Sequence, residues 1–121
     1  MEDHLLATER KLDMLGRLVL PPLYRKTLGF EKDAVNNKRN YLYMEFNPDS
    51  KEIKLTNANR NPPIDSGGTI ITKRCFDNWG RLMLPPNFKE KLGIHQVKNA
   101  TLRIELNTLT KEIFITNPHR N

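Results

Sequence analysis

The sequence predicts a mainly β protein with short helices, assembled from two copies of one ββαββ unit that share a core. Three observations predict it: an internal duplication, short strand-favouring runs punctuated by Gly and Pro, and a repeat too small to stand alone. In the 121-residue chain, a shift of 64 lays residues 10–29 on residues 74–93, with ten of twenty positions identical. A shift of 60 lays residues 42–61 on residues 102–121, again with ten of twenty identical. Two such blocks in the same order mark a tandem repeat. The change of offset places four additional residues in the first copy, between Val35 and Leu42.

Each copy opens on a short strand, residues 8–12 and 70–76. Turns follow at DMLGR (13–17) and DNWGR (77–81). Gly16 and Gly80 supply the backbone freedom that a tight reversal needs. Second strands at residues 18–20 and 82–84 are stopped by paired prolines. Pro22 and Pro86 suit the first position of a helix, where a missing N–H costs nothing. The helices, residues 22–28 and 86–92, are barely two turns long and end at Gly29 and Gly93, the place for a C-terminal cap. Residues 41–46 and 101–106 carry strand-favouring side chains. Turns at NPDS (47–50) and NTLT (107–110) lead into closing strands KEIKLT and KEIFIT.

The expected organisation is a first repeat over residues 1–56, a Pro- and Gly-rich linker over 57–68 with no helix or strand of its own, and a second repeat over 69–121. One copy has few apolar side chains and unpaired strand edges, which invite another chain. Interleaving the hairpins of the two copies solves both problems. The linker makes that pairing intramolecular.

Lys and Arg outnumber Asp and Glu by 20 to 14, a net charge of +6. That balance favours acidic partners, nucleic acid first. Cys75 is the single cysteine, so neither an internal disulfide nor a multi-cysteine metal site is expected. His4, His95 and His119 lack ligand spacing. No glycine loop for phosphates, nucleophile elbow or metal triad is present, so no cofactor and no catalysis are expected. No apolar run approaches the roughly 20 residues of a membrane span. Residues 1–10 lack the basic start and apolar stretch of a signal peptide, which leaves the cytoplasm as the expected location.

The segment RKLDMLGRLVLPPLYRKTLGFEKDA (10–34) resembles the core of the AbrB/SpoVT/MazE family, and RCFDNWGRLMLPPNFKEKLGI (74–94) repeats it. The shared pattern is a basic residue, an Asp, Gly-Arg, an apolar triplet, Pro, a short basic helix and Leu-Gly. With the closing strands, the resemblance covers about 100 residues of the chain. It implies a prokaryotic swapped-hairpin fold, a double-split β-barrel-like body made here as a pseudo-dimer of the two repeats. It also implies a nucleoid-associated regulator whose basic face meets double-stranded promoter DNA. The matching positions are Arg10, Lys11, Arg17, Arg25 and Lys26 in the first copy, and Arg74, Arg81 and Lys89 in the second. Cys75 stands where Lys11 is matched, and Glu90 where Lys26 is matched, so the two halves are not chemically equal.

The tandem arrangement also resembles MraZ, a ring-forming relative with a DxxxR signature, which Asp13/Arg17 and Asp77/Arg81 satisfy. An antitoxin-like protein is a further alternative. The second repeat closes at Asn121, the counterpart of Asn61, without the toxin-wrapping tail of that class, so a toxin partner is not expected. Self-association into a dimer or higher oligomer stays open.

Several residues carry two readings. Arg17 and Arg81 either reach DNA or brace their own turns through Asp13 and Asp77, and the aspartates are expected to be structural. Arg10 and Arg74 either meet DNA or solvate a strand face. Tyr24 and Phe88 are expected in the core. Trp79 is expected to pack at its turn. Lys38 and Arg39 are expected in a solvated loop.

Overall fold

The computed structural model describes residues 4–30, 41–58, 70–77, 79–96 and 100–118. In chain order the elements are β1 (Leu5–Lys11), β2 (Arg17–Val19), α1 (Pro22–Thr27), β3 (Tyr41–Asn47), β4 (Glu52–Asn57), β5 (Ile70–Cys75), β6 (Arg81–Met83), α2 (Pro86–Lys91), β7 (Thr101–Asn107) and β8 (Glu112–Thr116). The structure is mainly β with two short helices. Residues 1–3, 31–40, 59–69, 78, 97–99 and 119–121 lie outside the described set, and with them Lys38, Arg39 and most of the expected linker.

Alternation sets the sheet. Leu42, Met44 and Phe46 on β3, Ile53 and Leu55 on β4, Leu102, Ile104 and Leu106 on β7, and Ile113 and Ile115 on β8 all turn to one side and are buried. Side chains two apart share a sheet face, so a single apolar surface results. The open antiparallel sheet runs β1-β7-β8-β4-β3-β5. Each copy's hairpin, β3–β4 or β7–β8, is therefore flanked by the first strand of the other copy. Arg10 sits opposite Leu102, and Arg74 sits opposite Leu42. These are equivalent positions, so the two edge pairings are one pairing repeated.

The remaining strands pair across the repeat as well. β2 and β6 form a separate two-stranded ribbon with Leu18 opposite Leu82. Both leucines are fully buried and close the core from the side opposite the sheet. β4 meets β8 with Ile53 opposite Ile115 and Leu55 opposite Ile113.

Neither six-residue helix would form alone, since isolated helices that short are unstable in water. Each is held by a buried aromatic, Tyr24 on α1 and Phe88 on α2. The Phe88 ring lies 6.1 Å from Phe46 on β3 of the other copy. Helix ends are closed from a distance. Asn57 Nδ2 donates to the Leu28 carbonyl at 2.9 Å, and Asn117 Nδ2 to the Leu92 carbonyl at 2.8 Å. Asn57 thus ends β4 and caps α1; it belongs to the first repeat and not to the linker, where composition placed it.

Two further boundaries differ from the sequence reading. β1 begins at Leu5 rather than at residue 8, because β7 pairs with all seven of its residues. The closing strands begin at Glu52 and Glu112. Lys51 and Lys111 adopt positive φ, 60° each, and complete the preceding turns, whose Asn47 and Asn107 side chains accept from the turn N–H groups.

Candidate nucleic-acid interface

The two Asp-x-x-Gly-Arg turns are built alike. Asp13 Oδ1 accepts from the backbone N–H groups of Leu15 (3.0 Å) and Arg17 (2.8 Å), and its Oδ2 accepts from Arg17 Nε at 2.6 Å. Asp77 repeats this with Trp79 (2.9 Å), Arg81 (2.9 Å) and Arg81 Nε (2.6 Å). The aspartates are structural: they bond the turn backbone and hold their arginines by one edge. Nε is the guanidinium atom engaged in both cases.

Partial burial works against the charge of both carboxylates. The N–H groups of Arg17 and Leu15, and of Arg81 and Trp79, together with the arginine charges, outweigh it and hold both pKa values below the ordinary carboxylate range. A folded pKa below the unfolded value of about 3.9 means stability that is present above that pH and lost as pH falls through the folded pKa. The expected result is a melting temperature that declines below about pH 4. The gap between the native protein and an Asp13→Asn/Asp77→Asn double variant should narrow over the same range, measured by thermal unfolding at stepped pH.

The ribbon decides where the arginines go. With Leu18 and Leu82 inward, Arg17, Val19, Arg81 and Met83 stand on its outward side. Arg17 is opposite Met83, and Arg81 is opposite Val19. One arginine from each repeat therefore shares a narrow strip.

Each turn is then completed by the helix of the other copy. The Lys89 side chain of α2 lies on Gly16, where an added Cβ would strike its ammonium and sit 3.4 Å from Cδ and Cε. Arg25 of α1 lies on Gly80, where a Cβ would come within 2.6 Å of Cζ. Arg25 is anchored by its Nε donating to the Leu20 carbonyl at 3.1 Å. The result is two corners of crossed parentage, Arg17 with Lys89 and Arg81 with Arg25. Both glycines also hold positive φ, 82° and 76°. Gly80→Ala is expected to cost about 1–2 kcal/mol from backbone strain alone and to displace Arg25. Denaturant unfolding checks the first effect, and the chemical shifts of Arg25 check the second.

Arg10 and Arg74 are exposed and share the sheet face of Leu102 and Leu42, the side that carries the ribbon and helices. Their Nη1 atoms make local bonds, Arg10 to Thr8 Oγ1 (2.9 Å) and the Glu9 carbonyl (2.8 Å), Arg74 to the Lys73 carbonyl (3.0 Å). Burial raises the pKa of the Tyr24 phenol on α1, with the charges of Arg10 and Arg103 opposing it. Lys26 is exposed on α1, and Glu90 takes its place on α2. Lys11 is not gathered with the others: opposite Thr101, it points to the far face of the sheet. Trp79 packs on the arginine of its own turn and stays largely exposed. It is 69% exposed, against 63% for Leu15 at the matching position, with Arg81 Cζ lying 4.8 Å from its ring centroid.

Charge is segregated between the two sides of the sheet. Among the described residues, the ribbon-and-helix side carries eight cations (Arg10, Arg17, Arg25, Lys26, Arg74, Arg81, Lys89, Lys91) and three carboxylates (Asp13, Asp77, Glu90), a net +5. The far face of the strands carries four cations (Lys11, Lys54, Lys73, Arg103) and five carboxylates (Glu9, Glu45, Glu52, Glu105, Glu112), a net −1. On that face Lys54 pairs with Glu45 at 3.7 Å and Glu112 at 3.6 Å. Each of β3, β4, β7 and β8 carries one Glu, set out of phase with its buried apolar residues, which places all four on the far face. The crossed corners have no such local signal.

Among the described residues no cluster of three His, Cys, Asp or Glu side chains is placed to hold a metal ion, and no helix is long and apolar enough to cross a membrane. Comparison of the chain with protein-family models, curated proteins and solved structures found no match.

Proposed function

We propose that this protein binds double-stranded DNA as a transcriptional regulator, with its two repeats arranged as a swapped-hairpin, double-split-barrel-like pseudo-dimer of the AbrB/SpoVT/MazE kind. The observation that carries the reading is the charge segregation: a net +5 on the ribbon-and-helix side, with cations from both repeats, against a net −1 on the far face. A polyanion is the partner such a surface suits. The strand exchange supports the fold assignment, since each hairpin takes the other repeat's first strand as its neighbour.

Arg10, Arg17, Arg25, Lys26, Arg74, Arg81 and Lys89 form the contact surface. Lys and Arg neutralise phosphates and position the duplex, and a few arginines read base edges and DNA shape. Because Glu90 stands in the second repeat where the first has Lys26, and Lys89 where the first has Arg25, the bound site is an imperfect palindrome. The protein acts as a cytoplasmic, nucleoid-associated binder and not as an enzyme, and the reading requires no metal or cofactor.

The test is selection of bound sequences from random duplexes, followed by binding of the winners across a salt series. The expected result is an enriched motif, with log affinity falling against log salt by about 0.9 for each phosphate neutralised. No enrichment together with a near-flat salt slope overturns the proposal.

A further inference from the structure

We infer that Trp79 is a base-contacting, specificity-determining residue, and that the corner formed by Trp79, Arg81 and Arg25 is the more sequence-selective half of the DNA site. This rests on the DNA-binding reading and goes beyond it. The indole is the largest apolar group of either turn and stands 69% exposed. It is also held in place. Asp77 grips Arg81 through Nε at 2.6 Å, and the guanidinium so fixed lies 4.8 Å from the ring centroid, within the range of a cation–π contact. One face of the ring is thereby occupied by a cation and the rest is presented outward, so little side-chain freedom is left to lose on binding.

The neighbourhood names the occupant. Arg25 of the other repeat lies on Gly80, the residue next to Trp79. An apolar protein surface docking on the indole would have to strip water from two guanidinium groups. A DNA groove offers those groups phosphates and guanine edges, and offers the ring thymine methyls and base surface. The other corner is an internal comparison: the same turn, the same Asp–Arg bond at 2.6 Å, but Leu15 in place of the indole and the point charge of Lys89 in place of the planar Arg25. Lys lacks the bidentate geometry of Arg, so that corner positions the duplex more than it reads it.

Trp79 is the single tryptophan of the chain, so its emission reports this position alone. The full-length protein is titrated with a fluorescently labelled selected duplex, and with a random duplex, following duplex anisotropy and tryptophan emission together. The expected result is a change in emission and protection from acrylamide that track binding of the selected duplex. Trp79→Leu installs the residue that the first turn already carries, so the fold is kept. It should weaken binding of the selected duplex about tenfold, the size of one lost base contact, and leave the random duplex within about twofold. Leu15→Trp should sharpen base preference in the opposite half-site. An anisotropy rise with unchanged emission and unchanged quencher access overturns the inference while leaving DNA binding intact. Equal weakening on both duplexes by Trp79→Leu also overturns it. No anisotropy rise with any duplex overturns the DNA-binding reading, and this inference with it.

Discussion

Residues 1–61 expressed alone will not yield a stable monomer. Of the strand pairings among the described residues, only β3–β4 lies within the first repeat. The partners of β1, β2, β4 and the outer side of β3 are β7, β6, β8 and β5, all from the second. A lone two-stranded hairpin is marginal in water, and Leu18 would face solvent where Leu82 now covers it. The expected outcome is either an unfolded fragment or one whose unfolding midpoint rises with protein concentration because copies pair. Adding residues 62–121 should restore a cooperative transition at low concentration. Sedimentation combined with circular dichroism reads both effects. A monomer with concentration-independent cooperative unfolding would defeat the idea that each repeat needs the other.

Arg25→Ala combined with Lys89→Ala should produce the largest loss of DNA affinity available from two substitutions. These side chains lie on the turns of opposite repeats, so the pair removes one cation from each corner. If each neutralises one phosphate, the slope of log affinity against log salt becomes shallower by about 1.8. Arg25→Lys should preserve the slope while loosening base preference, since the charge stays and the fork is lost. Lys11→Ala is the matched control. Lys11 adjoins Arg10 at the head of the repeated motif, yet it points to the far face of the sheet. Its removal should change neither slope nor affinity appreciably. Equal losses from Lys11→Ala and Lys89→Ala would mean that DNA does not bind where the charge is concentrated.

Much of the fold is legible in the chain because its determinants are local. Paired prolines end β2 and β6 and start both helices, and Gly16 and Gly80 mark turns that require positive φ. Alternating apolar residues in 42–46 and 102–106 identify the buried strand face. Where the reading slipped, a distant partner was responsible. β1 extends back to Leu5 because β7 offers hydrogen bonds that far. Asn57 looked like linker, yet its amide closes a helix 29 residues earlier in the chain. Trp79 packs on Arg81 of its own turn and is otherwise left 69% exposed.

The site was legible as a set of residue types and not as a geometry. The Asp–Arg bond within each turn spans four residues and follows from the motif itself. The contacts of Lys89 with Gly16 and of Arg25 with Gly80 join residues more than 50 positions apart, and no pattern along the chain encodes them.

By itself the sequence determined the duplication, the order of strands and helices, and the turn chemistry, because each depends on φ/ψ preference, hydrophobic period or hydrogen bonds within a few residues. Only the tertiary structure decided which repeat completes which turn, that Lys11 faces away from Arg10, and that one side of the sheet is cationic. Those outcomes depend on strand register across the two copies, and register is a property of long-range pairing: a shift of one residue would exchange every inward side chain for an outward one.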